Sequence, residues 1–193
     1  KLGKQIHSWG AADAINPTNN LNPYDYYYMF KVGAGTKVGV LSLASTYYSD
    51  SFQIEIVVSP YFNKNRIPYA EKDFPLAPDT KPEVRYSPKE EIELGLRLQT
   101  TLNSSDISLS FFSGNDRAPS IYSGIFPNEP SVDISMDIGY RKTTMIGSDF
   151  VIFIGDFTVR AEGALYNTKT DSKNNVELRN NIFVFTEEVL YSQ

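Results

Sequence analysis

Apolar and polar side chains alternate strictly along much of this chain, and this alternation constrains the fold more than any other feature of the sequence. The clearest run covers residues 91–101. In it, apolar side chains alternate with mainly polar ones: Ile92, Leu94, Leu96 and Leu98 on one face, and Glu91, Glu93, Gly95, Arg97 and Gln99 on the other. A two-residue period is that of a β-strand, whereas an amphipathic helix repeats every 3.6 residues. The sequence therefore predicts an all-β chain.

Three hairpins are predicted where two alternating runs flank a short polar turn. Their turns lie at 49–51, 103–106 and 155–156. Long segments rich in proline and asparagine separate the alternating runs, at 10–37, 60–89 and 115–137. Structureless connections of this length are uncommon in a compact soluble domain, whereas outer-membrane barrels combine short periplasmic turns with long extracellular loops. The order of connections favours an antiparallel transmembrane β-barrel, or a large part of one.

Charge assigns the two faces of such strands. A strand in a bilayer must present an apolar row to the lipid and can carry charge only toward the lumen. We therefore expect the following side chains to line a lumen: Glu91, Glu93, Arg97, Gln99, Arg141, Arg160 and Glu162. A soluble β-sandwich also alternates but turns its charged face to solvent, so alternation alone leaves both folds open.

Composition limits the chemistry that the chain can perform. The sequence has no cysteine and one histidine, which excludes thiolate and multi-histidine metal sites. A net charge of −5 argues against nucleic acid as a partner. No apolar run approaches the roughly 20 residues of a membrane-spanning helix. Because no set of nucleophile and base is recognisable, we expect no catalytic residues, no metal and no cofactor, and hence no enzyme.

The segment 9–26, W-G-A-A-D-A-I-N-P-T-N-N-L-N-P-Y-D-Y, is the most unusual in the chain. Its two Asn-Pro steps favour turns, because proline keeps the preceding residue out of the helical region. One interpretation is a self-bonded loop that caps a strand end. The other is a loop that folds into a lumen and constricts it, through these residues: Trp9, Asp13, Asn16, Pro17, Asn22, Pro23 and Asp25. In the second case the two carboxylates would bias passage toward neutral or cationic solutes.

The pattern W-G-x-x-D-x-x-N-P followed by L-x-P-x-D-Y resembles a motif of porin-like outer-membrane barrels of Gram-negative bacteria. Shorter pieces are similar to that family in the same order: V-V-S-P-Y-F-N-K-N-R-I-P at 57–68, E-L-G-L-R-L at 93–98, S-F-F-S-G-N-D-R-A-P at 110–119 and V-R-A-E-G-A at 159–164. The resemblance implies an outer-membrane location and a barrel longer than this chain. Ala11 and Ala12 depart from the family pattern, in which a charged residue is expected.

These observations lead to one set of expectations. We expect residues 1–193 to form a single β-barrel domain that is incomplete at both ends. Its expected function is the passive passage of small solutes across the cell outer membrane, with outer-membrane lipid and a small-molecule solute as partners and with no nucleic acid. The substrate and the oligomeric state stay open. The alternatives are a non-conducting barrel that binds a partner or serves a structural role, and a soluble β-sandwich that binds a ligand.

Overall fold

The computed structural model describes residues 1–12, 16–28, 36–67, 83–88, 91–118, 120–125, 135–169 and 181–191. In these residues the chain forms eleven strands and one turn of 3-10 helix, at Tyr26–Tyr28. The strands are β1 (Leu2–Gln5), β2 (Val40–Tyr48), β3 (Phe52–Ser59), β4 (Glu83–Pro88), β5 (Glu93–Leu102), β6 (Ser105–Asn115), β7 (Ser120–Ile125), β8 (Ser135–Tyr140), β9 (Lys142–Ile154), β10 (Phe157–Thr168) and β11 (Asn181–Tyr191).

Eight of these strands form one sheet in the order β1-β2-β3-β5-β6-β9-β10-β11, and every neighbouring pair is antiparallel. The three predicted hairpins are confirmed as β2–β3, β5–β6 and β9–β10. Two of the tight turns contain a residue with positive φ, Asn103 at 53° and Gly155 at 59°. Asparagine and glycine are the residues that tolerate this conformation best. The prediction of an all-β chain with an antiparallel sheet is therefore confirmed.

A second sheet lies in segments that the sequence analysis treated as connections. It has the order β4-β8-β7, in which β4 and β8 are parallel and β8 and β7 antiparallel. The prediction that 60–89 and 115–137 are connections without strands was therefore wrong. Each strand of this sheet has six residues, which is too few for alternation to stand out among prolines and glycines. The predicted strand from residue 140 is also divided, because β8 ends at Tyr140 and β9 begins at Lys142.

The eight-stranded sheet is open. Its edges are β1 and β11, and in the described part of the chain these two strands do not pair with each other. A closed barrel requires its two edge strands to pair along a continuous register. Here one edge has four residues and the other eleven. The predicted barrel is thus observed as an antiparallel sheet without closure.

One face of this sheet is apolar and exposed. Residues that pair directly across antiparallel strands share a face, so the register connects Leu96 with Ile56 and Phe111, and Phe111 with Ile146. The large side chains of this apolar face are 36% to 61% exposed: Leu41, Leu43, Ile56, Leu94, Leu96, Leu98, Ile107, Leu109, Ile146, Phe150 and Leu165. Within the described ranges, no helix has the length and apolar composition of a membrane span.

The opposite face is covered by the 9–26 loop, and we refer to it as the loop-covered face. Trp9 and Leu21 of the loop are each 2% exposed. They belong to a cluster of buried side chains contributed by five strands: Ala44, Val57, Phe112, Met145 and Ala164. A hydrophobic core therefore lies between the sheet and this loop, while the apolar face of the same sheet is exposed.

Candidate functional site

The 9–26 loop crosses the loop-covered face instead of projecting from a strand end. The indole N–H of Trp9 donates a hydrogen bond to Oε2 of Glu55 on β3, at 2.8 Å. Beneath the loop, a Cβ atom at Gly95 would lie 2.7 Å from Leu21 Cδ2 and 2.8 Å from Trp9 Cη2. Such contacts are too short for carbon atoms, so the absence of a side chain at Gly95 lets both loop side chains reach the sheet.

The carboxylate of Glu162 on β10 holds the loop by its backbone. Glu162 is 1% exposed. Its Oε2 accepts the backbone N–H of Ala11 at 3.0 Å and of Ala12 at 3.3 Å. Its Oε1 accepts the backbone N–H of Thr18 at 2.8 Å and the Thr18 hydroxyl at 2.7 Å. A buried carboxylate is costly unless hydrogen bonds replace its lost hydration, and here four loop donors do so.

Replacing Gly10 with alanine is expected to loosen this attachment. Gly10 has a φ of +93°, and a Cβ there would lie 2.4 Å from Glu162 Oε2. Backbone strain of this kind costs about 1–3 kcal/mol, and the steric conflict adds to it. Urea unfolding of the folded protein would measure the loss. Gly155→Ala is the control, because Gly155 has a φ of +59° with nothing within 4 Å of an added Cβ. Equal losses for both variants would show that Glu162 does not restrict position 10.

Arg117 joins the loop to a second buried carboxylate. Its Nη2 contacts Glu93 Oε2 at 2.7 Å, and the side chains of both residues are at most 4% exposed. The same guanidinium donates to the carbonyl oxygen of Asn20 at 2.7 Å and to that of Leu21 at 3.0 Å. It also lies 5.6 Å from the ring centroid of Phe112. This arginine therefore compensates the charge of Glu93 and caps two loop carbonyls at once.

Two asparagines connect the loop to neighbouring segments through their amides. Asn22 accepts the backbone N–H of His7 at 2.7 Å and donates to the carbonyl oxygens of Gln5 at 3.0 Å and Val38 at 2.8 Å. It therefore links segments on both sides of the loop. Asn65 accepts from Tyr24 N–H and donates to the carbonyl oxygen of Arg117.

The other candidate constriction residues occupy different environments. Pro17 and Pro23 are buried, and Asn16 is half-buried. Asp25 is paired with Arg66 at 3.2 Å. Asp13 lies outside the described residues. The charge of Asp25 is thus compensated locally, which weakens the electrostatic bias that was expected from this residue.

An ion pair lies on the loop-covered face toward the tight turns. Arg97 contacts Asp149 at 3.1 Å, and Ser108 bonds to both side chains. In a neighbouring contact, the amide of Gln53 donates to Gln99 at 2.8 Å. Because Arg97 and Asp149 are paired, this part of the face carries positive and negative charge with little excess of either.

The remaining predicted lumen residues are distributed along the sheet. Arg160 lies on β10, two residues before Glu162, and is half-buried. Glu91 precedes β5 and is exposed. Arg141 lies between β8 and β9 and pairs with Asp116 at 2.8 Å. The structure thus brings Glu93, Glu162 and Arg141 into contact with loops and leaves Glu91 apart from them.

A cavity of about 320 Å³ opens beside the loop, at the end of the sheet toward the long connections. Asn16, Pro17 and two tyrosines, Tyr24 and Tyr26, contribute its loop side. Opposite them, the polar side chains include Asp116, Arg117 and Arg141. A cavity of this size is at the lower end of the range for small-molecule sites in proteins.

Burial shifts the pKa of two groups next to this cavity. It lowers the pKa of Lys37 to about 7, and the positive charge of Arg117 acts in the same direction. Nζ of Lys37 donates to the carbonyl oxygen of Asn19 at 3.0 Å and lies 3.5 Å from the ring centroid of Tyr24. Burial also raises the pKa of Tyr24.

No family model, no curated protein and no solved structure matches this chain. The similarity to porin-like barrels therefore stays an expectation based on the sequence motifs. In the described part of the chain, no group of three or more His, Asp or Glu side chains is placed to hold a metal ion.

The residues of the site that the sequence did not indicate include Glu55, Asp116, Arg117 and Asp149. Glu55 and Asp149 lie on β3 and β9, and the alternation along these strands could have indicated that both side chains lie on the charged face. Asp116 and Arg117 follow β6 in the segment S-G-N-D-R-A-P, where no alternation marks the face of a side chain. Their roles depend on contacts with loop atoms far away in sequence.

Proposed function

We propose that this chain is part of an outer-membrane β-barrel that lets small solutes pass passively, with the 9–26 loop narrowing the passage. The observation that carries this proposal is the polarity of the eight-stranded sheet. Its exposed face is apolar, whereas its buried face contains Glu93, Arg97, Asp149 and Glu162. The remaining strands of a closed wall would then lie beyond β1 and β11.

This polarity is the reverse of what stabilises a soluble sheet. In water, a sheet gains free energy by burying its apolar face and solvating its charged one. A wide exposed apolar surface in a soluble protein marks a contact with another protein or with a membrane. Lipid is the occupant that accounts for both faces, because a barrel wall in a bilayer is apolar outside and polar within.

Aromatic side chains support the same orientation. Tyr47, Phe52 and Phe157 belong to the apolar face near the tight turns and are 64%, 37% and 50% exposed. Outer-membrane barrels carry aromatic girdles at the interfaces between lipid and water. The tight turns would then lie on the periplasmic side and the cavity on the extracellular side.

The passage would select by size more than by charge. Ion selectivity requires rings of unbalanced charge or a charged constriction. Here Arg97 is paired with Asp149, Arg141 with Asp116 and Asp25 with Arg66. The proposal is therefore a weakly selective pore for small solutes.

Cell fractionation tests the location. The full-length protein is expected to sediment with outer membranes and to resist extraction by alkaline carbonate, because its apolar face is held in lipid. A resident outer-membrane porin and a soluble periplasmic protein of the same cells serve as references. Recovery as a soluble monomer without detergent would contradict the membrane proposal and favour the soluble β-sandwich.

Conductance in planar bilayers tests the passage. Stepwise increases in current, with little preference between cations and anions, would support a pore. A non-conducting barrel that binds a partner is the second candidate, and the loop favours it, because Trp9 and Leu21 fill space over the loop-covered face. Insertion of the protein into bilayers without any current would support this second candidate and contradict the pore.

A further inference from the structure

Three side chains in the wall of the cavity carry buried polar atoms that lack partners. Nη1 of Arg117, Nε of Arg141 and Oδ1 of Asn16 are buried and have no hydrogen-bond partner among the described residues. All three side chains line the same cavity. Arg117 is 5% exposed and Arg141 is 9% exposed. Buried donors without partners are rare in folded proteins, because each loses its hydration without replacement.

Three other polar groups of the cavity wall, on Asp116, Asn20 and Tyr166, have partners. Asp116 uses both carboxylate oxygens, one for Arg141 at 2.8 Å and one for the N–H of Ala118 at 3.0 Å. The amide of Asn20 donates to Tyr166 Oη at 2.8 Å, and the Tyr166 hydroxyl in turn bonds to the carbonyl oxygen of Pro17. Two guanidinium N–H groups of the cavity wall therefore lack acceptors, whereas Asn16 Oδ1 lacks a donor.

We propose that this cavity binds a small organic acid, whose carboxylate accepts hydrogen bonds from Arg117 and Arg141 and whose apolar body lies against Tyr24, Tyr26 and Pro17. Guanidinium N–H groups match carboxylate oxygens in charge and geometry. The Asn16 amide can turn to present either its oxygen or its nitrogen, so it adapts to a polar substituent on the body.

The walls and the volume define the class of acid. Tyr24 and Tyr26 stack with ring centroids 5.9 Å apart, which gives the cavity an aromatic side. A volume of about 320 Å³ suits a ligand with a single ring and is too small to enclose a chain of sugars. An aromatic monocarboxylate combines the acceptor that the arginines lack with a flat body for the tyrosines. A cation would face two guanidinium groups, and a neutral alcohol would offer only one weak acceptor.

Calorimetric titration of the folded full-length protein with benzoate tests this site. Benzamide and benzylammonium serve as neutral and cationic probes of the same shape. Benzoate is expected to bind at least about tenfold more tightly than either, because hydrogen bonds to a charged acceptor are the stronger ones. Arg141→Gln is expected to weaken benzoate binding about tenfold, and Asp116→Asn to strengthen it by removing a neighbouring negative charge. Arg160→Gln, outside the cavity, is the matched control and should leave the affinity unchanged.

Several outcomes would overturn the proposal. Equal affinities for benzoate and benzamide would mean that the arginines do not select an acid. Preferred binding of benzylammonium would identify a cation site. No saturable binding at millimolar benzoate would mean that water alone fills the cavity. Binding is measured independently of current and of location, so its failure is distinct from failure of the proposed membrane passage.

Discussion

Leu96→Arg is expected to prevent most of the full-length protein from inserting stably into lipid bilayers. Leu96 lies on β5, the fourth strand of the eight-stranded sheet, and is 41% exposed on the apolar face. Its cross-strand neighbours, Ile56 and Phe111, are apolar as well. An arginine at the bilayer midplane of a barrel costs about 2–4 kcal/mol, because its charge loses water and finds no partner in lipid. Urea titration of folding in phosphatidylcholine vesicles measures this loss.

Gln99→Arg on the same strand is the matched control. Gln99 points to the loop-covered face, where it meets the amide of Gln53. An added charge there stays beside water and polar groups, so the expected loss of stability is much smaller. If both variants fold equally well into vesicles, the assignment of the apolar face to lipid is wrong. A soluble protein that leaves the apolar face in water would show the opposite order, because arginine at the exposed position of Leu96 would then be tolerated.

The parts of the fold that could be predicted from the sequence are the parts that local chemistry decides. The hairpin β5–β6 follows from two alternating runs and a turn at Asn103 that accepts positive φ. The strands β4 and β8 could not be predicted in the same way, because they pair in parallel across about fifty residues of chain. Their pairing depends on how the rest of the molecule brings them together.

The candidate site shows the same division. Alternation grouped Glu93 and Glu162 on the charged strand face, but it did not indicate which groups would be their partners. Glu93 pairs with Arg117 from a loop, and Glu162 bonds to backbone groups 144 to 151 residues away in sequence. A buried carboxylate requires hydrogen-bond donors, but the sequence does not indicate which segment of the chain supplies them.

The two Asn-Pro steps also proved different from each other. At the first step, Asn16 begins a local turn in which its carbonyl oxygen accepts the N–H of Asn19 at 3.1 Å. At the second, the Asn22 side chain bonds to His7, Gln5 and Val38. The interpretation of a self-bonded loop fits the first step only. Identical dipeptides therefore serve as a local turn in one place and as a link between segments in the other.

Glu162→Gln is expected to release the 9–26 loop from the sheet while the sheet itself stays folded. The carboxylate accepts four hydrogen bonds from the loop. An amide keeps one acceptor oxygen but turns an NH₂ group toward two of the loop donors. Each hydrogen bond to a charged group contributes about 1.5–3 kcal/mol, so the attachment should weaken by about 2–4 kcal/mol.

Trp9 reports this release directly. It is the single tryptophan of the chain and is 2% exposed, so its emission should shift to the red and become quenchable by acrylamide when the loop detaches. Asp149→Asn is the matched control, because Asp149 pairs directly across from Glu162 but bonds to Arg97 and Ser108. Its emission should stay at the wild-type wavelength. If the chain forms the proposed pore, the Glu162 variant should also pass a larger current in planar bilayers, since the loop would no longer narrow it. A folded Glu162→Gln protein with buried Trp9 would mean that the core around Trp9 and Leu21, and not the carboxylate, holds the loop in place.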